Sequence, residues 1–168
     1  MTQVVFHTTL GDITIEVDHK NAPMSAANFV QYAEDGFYNG TIFHRIIPNF
    51  VVQGGGLEPG MENKTTRAPI ENEADNGIKN LKGSLSMART MDPNSATSQF
   101  FINLKDNDFL DHTTKTPQGW GYAVFGRIID GMDVVENMAK VATTSRQGHQ
   151  DVPVEDILVE NTTVKSAE

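Results

Sequence analysis

The sequence predicts a mainly β fold, an antiparallel barrel or sandwich with two helices at its ends. Three observations carry this. About eight short runs rich in Val, Ile, Phe and Thr are separated by turn residues. Only two stretches repeat apolar residues at helical spacing. No strand–helix alternation of the kind that builds a parallel sheet is present.

Residues 4–6 and 13–17 flank Leu10-Gly11-Asp12, a hairpin signal with its turn at Gly11. Pro23 suits a first helical turn. Ala26, Phe29, Val30 and Ala33 then recur at helical spacing, and Gly36 stands just past the helix end. Asn39-Gly40 marks a tight turn. Strands are expected over 42–46, 50–53, 83–88 and 98–103. Residues 57–82 hold Pro59, Gly60, Pro69 and Gly77 with little periodicity and predict a long, ordered surface loop, a feature that usually serves function. Residues 106–121 predict a second such loop, and 122–129 a further strand. Asp130-Gly131-Met132-Asp133 opens the second helix with acidic capping, with Met132, Val135 and Met138 on one face. Residues 157–164 close the chain as a strand. No repeat, linker or low-complexity segment interrupts 1–168, which reads as one domain able to bury roughly 70% of its unfolded surface.

Composition excludes several classes. A formal net charge of −9 argues against a nucleic-acid partner. Cysteine is absent, so disulfides and thiolate metal sites are ruled out. His7, His19, His44, His112 and His149 show no ligand spacing, and neither a metal nor another cofactor is expected. The N-terminal residues lack a basic region and read as a strand rather than a signal peptide. No window approaches the ~18 apolar residues of a membrane span. A soluble, cytoplasmic monomer is the expectation.

Motif matches weaken on inspection. Gly54-Gly55-Gly56 is not followed by Lys-Ser/Thr, since the order further on is Lys82-Gly83-Ser84. Turn glycines or close backbone approach explain it better than a phosphate loop. Asn39-Gly40-Thr41, Asn63-Lys64-Thr65 and Asn161-Thr162-Thr163 match glycosylation acceptors by chance. No Gly-x-Ser-x-Gly elbow nominates a hydrolase.

The informative stretch runs from Phe43 to Gly56. It sets Arg45 and Gln53 among aromatic and β-branched residues. Ser98-Gln99-Phe100-Phe101-Ile102-Asn103 adds a second amide and two rings. Together they offer a cation, two amides and a ring-lined hollow, with no nucleophile, general base or metal cage. Few reactions need only that, and rotation about a peptide bond is one. The apolar neighbours Ile42, Phe43, Ile46 and Ile47 suggest that Arg45 is largely buried, and a buried guanidinium needs partners or a task. Strict alternation sends Phe50 and Gln53 to opposite faces, so one site can use both only if the strand begins or bulges near Phe50. By base rate, Phe50, Phe101 and Phe109 are core residues.

These residues resemble the signature of the cyclophilins, the cyclosporin-binding peptidyl-prolyl cis-trans isomerases. The likeness runs from Phe43 through Gly55 and continues in Gly83-Ser84-Leu85-Ser86-Met87-Ala88, Ser98-Gln99-Phe100-Phe101-Ile102 and Val124-Phe125-Gly126. It spans about residues 4–164. Asn72-Glu73-Ala74-Asp75-Asn76-Gly77 and Ala88-Arg89-Thr90 resemble the compact bacterial cytoplasmic subgroup. The resemblance implies a closed eight-stranded antiparallel β-barrel capped by two α-helices. It implies isomerisation of Xaa–Pro bonds in peptides and folding proteins, with a non-catalytic peptide-binding or holdase module as the alternative. It implies that Arg45 is catalytic, acting with Phe50 and Gln53. The proline pocket is then Phe50, Val51, Phe101, Leu110 and Tyr122, beside a groove of Ala88, Arg89, Thr90 and Gln99. Val51 replaces the usual methionine and Tyr122 a common histidine. Phe109 stands where cyclosporin-sensitive members carry tryptophan, and Trp120 follows eleven residues later, so cyclosporin is expected to bind weakly.

Overall fold

The computed structural model describes residues 2–166. Strands β1 (Thr2–Thr8) and β2 (Gly11–Val17) form the expected hairpin, paired from Thr2↔Val17 to Thr8↔Gly11. Alternation drives Val4 and Phe6 of β1, and Ile13, Ile15 and Val17 of β2, into one core. Helix α1 (Pro23–Glu34) starts at the predicted proline and buries Ala26, Phe29 and Ala33. Its first turn has no capping side chain of its own. The carboxylate of Glu73 does that work, accepting from the Ser25 N–H at 2.6 Å and the Met24 N–H at 3.2 Å. The long segment 57–82 is thereby fastened to the helix.

The chain continues through β3 (Arg45–Ile47), β4 (Val51–Gly54), the short hairpin β5 (Leu57–Glu58) and β6 (Glu62–Asn63), then β7 (Ser84–Met87), β8 (Phe100–Asn103) and β9 (Val124–Asp130). Helix α2 (Met132–Met138), the hairpin β10 (Thr143–Arg146) and β11 (His149–Pro153), and β12 (Val159–Ser166) complete it. Eight strands form one antiparallel sheet in the order β12-β1-β2-β9-β7-β8-β4-β3. Its concave side holds an aromatic cluster: Phe29 lies 4.8 Å from Phe125 between ring centroids and 5.6 Å from Phe100.

Two expectations are corrected. The barrel is not closed. The sheet is open and strongly curled, and its edge strands β12 and β3 form no ladder with each other. The edges are stitched instead by the irregular segment ahead of β3. Gly40 N–H donates to Val159 O at 2.8 Å and Phe43 N–H to Ile157 O at 3.0 Å, while Ile42 N–H is used by Leu57 O. Val159 N–H returns a bond to Thr41 O at 2.9 Å, so the seam carries an isolated bridge between Ile42 and Leu158 rather than a ladder. Acidic capping of α2 is also absent. Gly131 is the N-cap at φ +90°, and a Cβ there would lie 2.3 Å from Asp12 O. Close approach to β2 demands glycine and leaves no side chain to cap with. Asp133 occupies the first turn, and Val135 and Met138 are buried as expected.

Candidate active site

Strands β3, β4 and β8 lie side by side, with Arg45 opposite Gln53 and Gln53 opposite Phe101. Ile46, Val52 and Ile102 between them are fully buried in the core. Period-two alternation therefore turns Arg45, Gln53 and Phe101 outward, onto the convex face of the sheet. Arg45 is exposed, which corrects the buried guanidinium suggested by its neighbours. Ile42 and Phe43 precede β3, where alternation does not bind them, and Ile46 alone takes the inward place.

The side chains form a chain of bonds. Arg45 Nη1 donates to Gln53 Oε1 at 3.3 Å, and Gln53 Nε2 donates to Gln99 Oε1 at 3.0 Å. Each amide is thus held in one orientation. The neighbouring glycines are explained by close approach: a Cβ on Gly56 would meet Gln99 Cγ at 2.5 Å, and one on Gly55 would meet the Phe100 ring at 2.7 Å.

Phe50 lies outside β4, which begins at Val51. Asn49 takes a left-handed φ of 61°, and Phe50 N–H donates to Ile47 O at 3.0 Å. This turn frees Phe50 from strand alternation, so Phe50 and Gln53 line one hollow of about 140 Å³. Val51, Phe101 and Leu110 form its buried apolar floor, with Phe50, Ala88 and Tyr122 packed around them. Arg45, Gln53 and Arg89 close the rim. The Tyr122 ring meets Phe101 edge-on at 5.5 Å. Arg89 braces that wall, with its guanidinium 4.6 Å over the Tyr122 ring and Nε donating to Gly121 O at 3.0 Å.

The other expected residues fall nearby. Phe109 is 66% exposed and stacks on Phe50 at 5.5 Å, forming an outer lip. Gln99 lies behind Gln53. Thr90 does not line the hollow; its hydroxyl and N–H are engaged with Ser95. Trp120 packs on His112 at 5.0 Å, away from the hollow.

A wider groove of about 410 Å³ opens on the far side of Arg45, between His44, Gln53 and Gln99 and the β10–β11 turn at Gly148 and His149. Sequence reasoning missed both the turn and His44. The signals were Gly148, at φ +80°, and a histidine inside an apolar run. His44 is 5% exposed, and its Nδ1 is sealed without a partner. Burial, then the nearby His149 and Arg45, push its pKa from the ordinary 6.5 down to about 4. Its ring is therefore neutral at physiological pH.

Among the described residues, no three His, Asp or Glu side chains converge to hold a metal, and no helix is long and apolar enough to cross a membrane.

A family model described as "Cyclophilin type peptidyl-prolyl cis-trans isomerase/CLD" matches residues 3–164. Peptidyl-prolyl cis-trans isomerase B of Escherichia coli (strain K12) is 55% identical over 161 residues, 96% of this chain and 98% of that protein. Peptidyl-prolyl cis-trans isomerase cyp18 of Streptomyces antibioticus is 54% identical over 161 residues, covering 96% and 97%. A crystal structure of a Cryptosporidium parvum cyclophilin type isomerase, determined in the presence of the dipeptide Ala-Pro, superposes with a TM-score of 0.79 at 28% identity, covering 98% of this chain and 99% of that one.

Proposed function

This chain belongs to the cyclophilin-type peptidyl-prolyl cis-trans isomerases, and from that premise we propose how its own residues turn an Xaa–Pro bond. The observation that carries the reading is the shared mouth: Arg45, tied to Gln53, opens on the same apolar hollow as Phe50 and Phe101. A hollow of about 140 Å³ is close to the ~150 Å³ apolar cavity that admits a benzene ring, enough for one pyrrolidine ring. Clients are proline-containing segments of peptides and folding proteins.

Rotation about the bond must break amide resonance, against a barrier of ~18–20 kcal/mol. No covalent bond forms or breaks. As the acyl group twists out of plane, the prolyl nitrogen becomes pyramidal and basic, and Arg45 donates to it. Phe50, Val51, Phe101, Leu110 and Tyr122 grip the ring while the acyl side turns. Gln53 sets the guanidinium and bonds the flanking backbone.

An acceleration of ~10⁵ requires a barrier lowered by ~7 kcal/mol. One preorganised charged donor in a dry site contributes ~3–4 kcal/mol. Arg45 is exposed in the free protein, so its share reaches that range only when the bound peptide excludes water. Complementarity of the hollow to the twisted imide supplies the rest.

The test is a proline-limited peptide isomerisation assay on Arg45→Ala. We expect kcat/KM to fall about 10²–10³-fold with an unchanged melting curve. Arg45→Lys should recover little, since an ammonium lacks the planar fork. Wild-type kinetics in a folded Arg45→Ala protein would refute the mechanism.

A further inference from the structure

Three asparagines run in a line beneath the hollow. Asn80, Asn103 and Asn107 are at most 1% exposed, and none reaches the hollow itself. Asn107 Nδ2 donates to the Phe50 carbonyl at 3.0 Å and to Asn103 Oδ1 at 2.9 Å. Asn103 Nδ2 donates to Ser84 Oγ at 2.9 Å and to Asn80 Oδ1 at 3.3 Å. Asn80 Nδ2 donates to Asp111 Oδ1 at 2.9 Å and to the Tyr122 carbonyl at 3.4 Å. The main chain follows the same path: Asn107 N–H donates to Asn80 O at 2.8 Å, Leu110 N–H to Asn107 O at 3.0 Å, and Tyr122 N–H to Leu110 O at 2.9 Å.

All three amides point the same way, nitrogen to the next oxygen. Turning any one over sets oxygen against oxygen or N–H against N–H and breaks at least two links. Asn107 shows the cost of this order. Both of its N–H groups are used, while its Oδ1 is sealed and has no partner. An unpaired buried acceptor is a defect for folding, and apolar groups of similar shape would avoid it. What the amides supply, and apolar packing does not, is direction.

We propose that Asn80, Asn103 and Asn107 are positioning residues of the proline site. The walls they hold come from separate segments: Phe50 from the turn before β4, Leu110 from the loop after β8, and Tyr122 from the approach to β9. The main chain ties them only piecewise, Phe50 O to Leu104 N–H at 2.9 Å and Leu110 O to Tyr122 N–H at 2.9 Å, and the asparagine relay joins these pieces to one another. The charged half of the site hangs on different supports, the β3–β4 pairing and Gln99. The relay therefore governs how well the proline ring fits, and the Arg45 half governs how fast the bond turns. This deepens the reading of the hollow as the proline site and rests on it.

The test compares full-length variants in the isomerisation assay, with KM and kcat separated. Asn107→Ala should raise KM about 10-fold, the usual effect of losing an outer support of a site, with kcat changed by less than about threefold. Asn107→Ser, whose hydroxyl donates to one of the two acceptors, should fall between Asn107→Ala and wild type, and it serves if Asn107→Ala does not fold. Val135→Ala, fully buried in α2, is a destabilised control expected to keep the wild-type KM. Phe101→Ala, run alongside, reports whether the hollow is the proline site at all. An Asn107 variant with KM within about twofold of wild type, or a Val135→Ala protein with the same rise, overturns the proposal while leaving that reading intact. Unchanged kinetics in Phe101→Ala would overturn the reading itself.

Discussion

His44 makes the stability of this protein depend on acid in a way that can be worked out. Its folded pKa is about 4, against an ordinary 6.5. Between those values the unfolded chain binds more protons than the folded one, so stability rises with pH across the window and is lost as pH falls. Above pH 7 the group contributes almost nothing to the difference. From pH 7 to 5 the linkage relation gives a loss of about 2 kcal/mol, and from pH 7 to 4 about 3 kcal/mol. For a chain of this size, 2 kcal/mol corresponds to roughly 4–8 °C in Tm. The acidic side chains also titrate in this range, so the assay is differential. Urea unfolding of wild type and His44→Gln is followed at pH 7, 6 and 5. The amide fills much of the same space and does not titrate, so its curve should fall less steeply by about 2 kcal/mol. Direct NMR titration should show the His44 ring neutral down to about pH 5, a unit above its folded pKa. Parallel stability curves, or a His44 ring that protonates near 6.5, would refute the reasoning.

Phe101→Ala should lower kcat/KM about 10²-fold. It should cost only ~2 kcal/mol of stability, below the ~3–5 kcal/mol of a central core phenylalanine, because Phe101 belongs to a small cluster on the outer face. A thermal melt beside the kinetics checks both, and full activity in a strongly destabilised variant would place the ring in the core instead. Cyclosporin should inhibit weakly. Phe109 offers a phenyl lip where an indole adds area and an N–H donor, so Phe109→Trp should tighten inhibition ~10–100-fold with little change in kcat/KM. Tight inhibition of the unmodified protein, abolished by Trp120→Ala, would show that Trp120 leaves His112 to meet the inhibitor. Excess EDTA should leave activity untouched, since the chain lacks cysteine and its histidines are scattered; loss of activity restored by zinc would contradict this.

What was legible in the sequence followed periodicity and punctuation. The β1–β2 hairpin, the start of α1 at Pro23 and its end at Gly36 were visible because local chemistry decides them. The seam was not. Whether an eight-stranded sheet closes depends on how far its two edges run alongside each other, and here the segment ahead of β3 meets the start of β12 in a single bridge that only tertiary packing sets. The small hairpin of β10 and β11 was missed for a related reason: its residues are mostly exposed and carry no alternating apolar signal. In the site, motif likeness found the residues that line the hollow, but the environment of Arg45 was misread from its neighbours. Apolar residues beside an arginine describe burial only when the strand includes them, and Ile42 and Phe43 lie just before β3. The turn at Asn49 was the condition the sequence posed without answering, and its positive φ is what lets Phe50 join Gln53. The Asn80–Asn103–Asn107 line was out of reach, since three asparagines at unrelated spacings meet only after the loops fold.

The position of the site on the convex face explains why one short strand can serve both stability and function. In β4, Val52 enters the main core while Val51 and Gln53 face the hollow; in β8, Ile102 does the first and Phe101 the second. The ladder that the core stabilises thus fixes the places of the groups that line the hollow without spending any core side chain on them. In the proposed mechanism a donor such as Arg45 gains catalytic value from being held before the substrate arrives, because reorganisation during the reaction would cancel part of the benefit. Its bond to Gln53, and that of Gln53 to Gln99, supply this on a rigid three-strand platform. Part of the proposed proline pocket is different. Val51 and Phe101 stand on the ladder, but Phe50, Leu110 and Tyr122 come from loops, which a ladder does not hold, and loops left to themselves are mobile. A site with one rigid half and one loop-built half needs a second fastening for the loops. On the proposal made for Asn80, Asn103 and Asn107, that need is the physical reason for buried amides, rather than more apolar packing, beside Phe50, Leu110 and Tyr122.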